Sequence, residues 1–136
     1  MKILIVEDDA DSGEALMHLL SDFGYEVRLV MKPPLASAVA LEFLPDIAIL
    51  DIDLPVISGY ELIQLLRGLP ELRSCRYFAV TAHVGAELLE RSAEAGFEHH
   101  LTKPLPLPHL LHCLKGARDA NARDATTSRA DLDPQC

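Results

Sequence analysis

The chain alternates short apolar runs with longer stretches in which apolar residues return every three or four positions. Ile3-Leu4-Ile5-Val6, residues 25–30, Ile47-Ala48-Ile49-Leu50 and residues 77–81 are of the first kind, with a shorter, more polar run over 98–101. Runs without a polar alternate suit strands buried on both faces, as in a parallel sheet covered by helices. The intervening stretches predict helices. Their apolar positions are Leu16, Leu19, Leu20 and Phe23; then Leu35, Ala38, Val39 and Phe43; then Leu62, Leu65, Leu66 and Leu69. Two more carry Ala86, Leu89 and Ala93, and Leu107, Leu110, Leu111 and Leu114. Asp11-x-x-Glu14 and Ser58-x-x-Glu61 fit capping boxes, Asp9 is expected to cap the first helix, and Gly24 and Gly96 fit helix stops. Five strands alternating with five helices imply βαβ units and a doubly wound parallel sheet, an α/β fold.

That pattern gives meaning to the polar residues that end the apolar runs. Glu7, Asp8 and Asp9 follow the first, Asp51 the third, Thr81 the fourth and Lys103 the fifth. Right-handed crossovers bring all of these ends to one edge of the sheet, where open parallel sheets bind ligands. No solvated face exists for Asp51 inside such a strand, so it belongs at the strand end, facing that edge.

Composition narrows the partners. The formal charge of −9 argues against phosphate-backbone contacts, so no direct nucleic-acid binding is expected. No apolar run reaches membrane-spanning length, and Glu7-Asp8-Asp9 cuts the first one too short for a signal segment. A cytoplasmic protein without a membrane partner is expected. The three cysteines are irregularly spaced and make no zinc pattern; His109 and His112 are expected on the solvated side of the last helix. Residues 1–116 are expected to form one domain, and 117–136 a helix extension with a disordered polar tail.

Adjacent carboxylates at Glu7, Asp8 and Asp51 repel unless a cation sits among them. Magnesium suits oxygen ligands, retains waters and accepts a phosphate as a further ligand. Lys103 and Thr81 add a charge and a hydroxyl for the same phosphate. No His or Cys nucleophile with a paired base stands at these positions, so the best nucleophile is Asp51 itself, giving an acyl phosphate.

Val6-Glu7-Asp8-Asp9, Leu50-Asp51-Ile52-Asp53-Leu54-Pro55 with Gly59, Val80-Thr81-Ala82 and Lys103-Pro104 together resemble the receiver domain of two-component response regulators. Each piece is weak alone; all four in order over residues 1–116 are specific. The resemblance implies the flavodoxin-like strand order 2-1-3-4-5, for which a member of this family is a standard example. It implies Asp51 as phosphoacceptor and Asp8 as direct magnesium ligand, with Glu7 acting through water and the Asp53 backbone carbonyl completing the shell. It further implies Thr81 as switch hydroxyl and Lys103 as phosphate-binding lysine. The family often has Tyr or Phe where His100 stands, and Phe where Leu105 stands, so any aromatic reporting motion falls to His100.

The implied function is phosphoryl acceptance from a sensor histidine kinase or a histidine phosphotransfer protein. The face formed by the fourth helix, fifth strand and fifth helix then meets a downstream protein target or a second copy. With only about 20 polar residues after the domain, the chain reads as a stand-alone regulator or as a receiver from a hybrid kinase. Two rivals are a small magnesium-dependent aspartyl phosphatase, with Asp53 as general acid, and a receiver-like binding module that is never phosphorylated. There is no room for a substrate cap, and all the chemical residues are present, so a signalling domain rather than a turnover enzyme is expected.

Overall fold

The computed structural model of the protein describes residues 1–83 and 85–124, with side chains as far as Ala120. Strands β1 (Lys2–Val6), β2 (Glu26–Val30), β3 (Ile47–Asp51), β4 (Arg76–Thr81) and β5 (His99–Thr102) alternate with α1 (Ala10–Asp22), α2 (Ala36–Phe43), α3 (Gly59–Arg67), α4 (Ala86–Ala95) and α5 (Leu107–Asp124). The sheet is parallel, in the order β2-β1-β3-β4-β5, so the expected doubly wound, flavodoxin-like arrangement is the one observed. Helix α5 runs eight residues past 116, to Asp124; the polar tail expected beyond it lies outside the described residues.

Alternation along the strands splits the core in two. Leu4, Val6, Ala48, Leu50 and Ala79 face one side, packed under Leu62, Ile63 and Leu66 of α3 and Ala40 and Phe43 of α2. Ile3, Ile5, Ile47, Ile49, Phe78 and Val80 face the other, under Leu20 of α1 and Leu110, Cys113 and Leu114 of α5. All five residues of β3 are buried, which is why its sequence has no polar alternate until Asp51.

Three helices depart from their expected faces or caps. Helix α1 is capped by Asp9, the expected cap, whose carboxylate accepts from the Ser12 amide and hydroxyl, and not by the box at Asp11; Phe23, just past its end, is 57% exposed. Helix α2 follows a single 3₁₀ turn, Pro33–Leu35, which resets its phase: Ala36, Ala40 and Phe43 turn inward while Leu35 and Ala38 face out. Helix α4 buries Ser92 and Ala95 instead of Leu89 and Ala93, because polar partners inside the fold receive Ser92. The capping box at Ser58 forms as expected, its hydroxyl accepting from the Glu61 amide at 3.2 Å.

Candidate functional site

Strand register assembles the site. Val6 pairs with Leu50, so the next residues on these neighbouring strands are Glu7 and Asp51. Thr81 pairs with Thr102, and its carbonyl accepts from the Lys103 amide at 2.7 Å, which sets Lys103 one step past β5 on the same edge. The Lys103–Pro104 peptide bond is cis. The Lys103 ammonium bridges the two acids, donating to Glu7 Oε1 at 2.6 Å and to Asp51 Oδ2 at 3.0 Å. The other Asp51 oxygen, Oδ1, accepts from the Asp53 amide at 2.9 Å.

Glu7 and Asp51 are buried, while Asp8 is exposed at the rim. One ligand oxygen from each of Glu7, Asp8 and Asp51 lies within 4.8 Å of the others. Glu7 Oε2 is buried and receives no hydrogen bond. Burial, and then the adjoining Asp51 carboxyl, push Glu7 up to about 7, so it holds a proton well above the usual carboxylate range. Burial pushes Asp51 the same way, but Glu7, the Asp53 amide and Lys103 outweigh it and hold Asp51 low, as the ionised partner. Lys103 is held above its ordinary value, since contact with both acids outweighs its desolvation. A buried carboxyl with an oxygen that receives no hydrogen bond, beside two further acids, is a donor set that fits a hard divalent ion.

Thr81 is 1% exposed and ends β4. Its hydroxyl donates to Asp53 Oδ2 at 2.9 Å and accepts from the His83 amide at 3.1 Å. Asp53 Oδ2 also faces the Ala82 amide at 3.4 Å, and Asp53 Oδ1 lies 3.6 Å from His83 Nε2. The sequence singles out Asp53 for its backbone carbonyl; the engagement of its side chain is visible only in three dimensions.

Gly59 opens α3 directly beneath the site. A Cβ there would lie 2.6 Å from the Asp51 carbonyl oxygen and 2.7 Å from Ile52 Cα, so only glycine permits this approach. The Gly59 amide donates to the Ile52 carbonyl at 3.0 Å, tying helix to strand end.

His100 lies away from the acids, half-buried on β5 opposite Ala79. Its Nδ1 shares a 2.7 Å hydrogen bond with Ser92 Oγ, which in turn lies 3.5 Å from the Tyr60 hydroxyl. Burial lowers the His100 imidazole below its ordinary value. This chain joins α3, α4 and β5. Ser92 was not among the expected site residues, and a serine amid the acidic and small residues of α4 gives no signal that would have found it.

The site therefore unites Glu7, Asp8, Asp51, Asp53, Thr81 and Lys103 and leaves His100 behind it. The family model for the response regulator receiver domain matches residues 3–115. The chain is similar to the polar-differentiation response regulator DivK of Brucella anthropi, 32% identical over 113 residues, covering 83% of this chain and 92% of that one. Among solved structures it is similar to the chemotaxis response regulator CheY4 of Vibrio cholerae, with 27% identity, a TM-score of 0.78, and 85% and 97% of the two chains covered. A CheY-like receiver domain protein from Methanospirillum hungatei is also 27% identical, with a TM-score of 0.82 and 90% and 97% covered.

Proposed function

The chain belongs to the response regulator receiver family, and on that premise we propose the residue roles by which it works as a phosphoacceptor. As a receiver it is a signalling domain of two-component systems rather than a turnover enzyme. Residues 1–116 act as the receiver unit, and Asp51 is the acceptor. One of its carboxylate oxygens attacks phosphorus, and the bond from phosphorus to the donor imidazole nitrogen breaks, its electron pair staying with the imidazole. What supports this most is the bridge from Lys103 Nζ to Glu7 and Asp51, beside Asp8, at the carboxyl edge of the sheet.

Glu7, Asp8 and Asp51, with the Asp53 backbone carbonyl, hold magnesium, which when bound supplies positive charge to the phosphoryl oxygens. Lys103 turns from the carboxylate of Asp51 to a phosphoryl oxygen as transfer proceeds. Thr81 donates its hydroxyl to another. Moving Thr81 draws the loop after β4 inward and shifts the balance of conformations on the α4–β5–α5 face. His100, tied to Ser92 and thus to α4, is the residue on β5 that reports this shift.

The phosphodonor is a sensor histidine kinase or a histidine phosphotransfer protein, and the α4–β5–α5 face takes a downstream protein or a second copy. Such a circuit is cytoplasmic; among the described residues no helix is long and apolar enough to cross a membrane.

Incubation with acetyl phosphate and magnesium, followed by intact-mass measurement, tests the assignment. One phosphoryl group per chain is expected, absent in Asp51→Asn and absent when the metal is chelated. Full labelling of Asp51→Asn would overturn it.

A further inference from the structure

The Thr81 hydroxyl has one proton, and in this structure it goes to Asp53. The donor atom lies 2.9 Å from Asp53 Oδ2, and the same carboxylate faces the Ala82 amide and the His83 ring. Three consecutive residues at the start of the β4–α4 loop thus converge on one side chain. That side chain belongs to the loop after β3, and its own backbone amide is bonded to Asp51. The loop that must move and the residue that must react are therefore connected through Asp53.

We propose that the Asp53 carboxylate is a resting-state latch: a positioning residue that holds the Thr81 hydroxyl, with Ala82 and His83, away from the phosphoryl site until it is displaced. The proposal rests on the role assigned above to Thr81. A hydroxyl donated to Asp53 is not available to a phosphoryl oxygen, so the reactive arrangement requires this bond to break. The bond is charge-assisted, the stronger kind; its Thr81 end is buried, while water reaches the Asp53 carboxylate, which is 40% exposed. Only the fraction of molecules with Thr81 released is competent, and the observed phosphorylation rate scales with that fraction. The latch lowers the rate in the resting protein and is undone by the arrival of the phosphoryl group.

The test measures the rate of phosphorylation by acetyl phosphate at saturating magnesium in the full chain. Asp53→Ala removes the acceptor but keeps the backbone carbonyl, and the rate is expected to rise on the order of tenfold, the worth of one charge-assisted hydrogen bond. Asp53→Asn keeps an acceptor oxygen for Thr81 without the charge, and an acceleration clearly smaller than that of Asp53→Ala is expected. Thr81→Ala with Asp53→Ala is expected to show no acceleration over Thr81→Ala alone. Amide resonances of Ala82 and His83 are expected to shift in Asp53→Ala and to stay close to the parent in Asp53→Asn. Equal acceleration by Asp53→Asn and Asp53→Ala, acceleration that survives in the Thr81→Ala background, or no acceleration at all, overturns the latch. Each of these is read on a protein that is still phosphorylated. Failure of the parent chain to take up phosphate overturns the residue roles on which the latch is built.

Discussion

At the residue scale, the chemistry and the strain sit a few positions apart. Val56 follows the acceptor loop with φ +68°, and the Ile57 amide donates to the Pro55 carbonyl at 2.7 Å across it. A hydrogen bond two residues apart around a positive φ is a γ-turn of the strained hand, and a β-branched residue is the worst suited to it. Val56 is 86% exposed, so its side chain recovers little by burial. Val56→Gly is expected to stabilise the protein by about 1 kcal/mol, the left-handed penalty less the added freedom of glycine when unfolded. Urea denaturation measures it, and an unchanged or lower midpoint would refute the strain. That Glu7, Asp51 and Lys103 meet at one edge was legible from residue types at strand ends, because a phosphate or cation site restricts which side chains serve. The bond from Thr81 to Asp53 was not, since nothing in a sequence says which of two neighbouring carboxylates a hydroxyl will choose.

At the element scale, strand existence was legible, as was the phase of α3 and α5, where Leu62, Leu66, Leu110 and Leu114 are buried as expected, but the phase of α2 and α4 was not. A strand buried on both faces has no polar alternate, so β1 and β3 stood out as unbroken apolar runs. Helices at the surface bury only part of a turn, and small residues count for more there than large ones: Ala36 and Ala40 are inward on α2 while Leu41 and Leu44 are exposed. Helix α4 is the extreme case, with Ser92 inside and Leu89 53% exposed. Helix α3 is where phase matters to function, because Gly59 brings its first turn against the Asp51 carbonyl. Gly59→Ala places a methyl 2.6 Å from that oxygen and 2.7 Å from Ile52 Cα, both backbone atoms that a rotamer change cannot relieve. Helix and strand end must part, at about 1–3 kcal/mol for overpacking of this kind. We expect a correspondingly lower melting temperature, and a fall in the acetyl phosphate labelling rate larger than the fall in the folded fraction. A normal rate in the folded fraction would show that Asp51 does not depend on this contact.

At the scale of the whole molecule, a sheet that collects every strand's polar terminus at one edge also collects their charges there. That these termini share one edge was legible because crossovers in a parallel sheet share one hand, while the strand order followed from the family resemblance; the protonation of the acids was not legible, because that depends on depth. Glu7 at about 7, raised chiefly by burial and then by Asp51, means that the folded protein binds a proton the unfolded chain releases near pH 4.5. Stability therefore falls as pH rises from about 4.5 through 7 on this account, the folded state holding more protons. His99 and His100, both lowered by burial, act oppositely: the unfolded chain takes up their protons first, so their contribution is lost as pH falls below about 6.5. The two slopes overlap, and a single melting curve against pH does not separate them. The difference between the parent and Glu7→Gln does, since the histidines cancel: the variant is expected to gain on the parent from pH 5 to about pH 7 and to level off by pH 8 in metal-free buffer. Magnesium is expected to reverse this: held as proposed above, it would compete with the Glu7 proton for the same carboxyl, so its stabilisation would be larger at pH 8 than at pH 5, reaching about 2.7 kcal/mol at a hundredfold excess over its dissociation constant. In Glu7→Gln the pH dependence of that gain should largely vanish. Equal stabilisation of the parent by magnesium at both pH values, measured by calorimetry, would mean that the Glu7 carboxyl takes no part in the cation site.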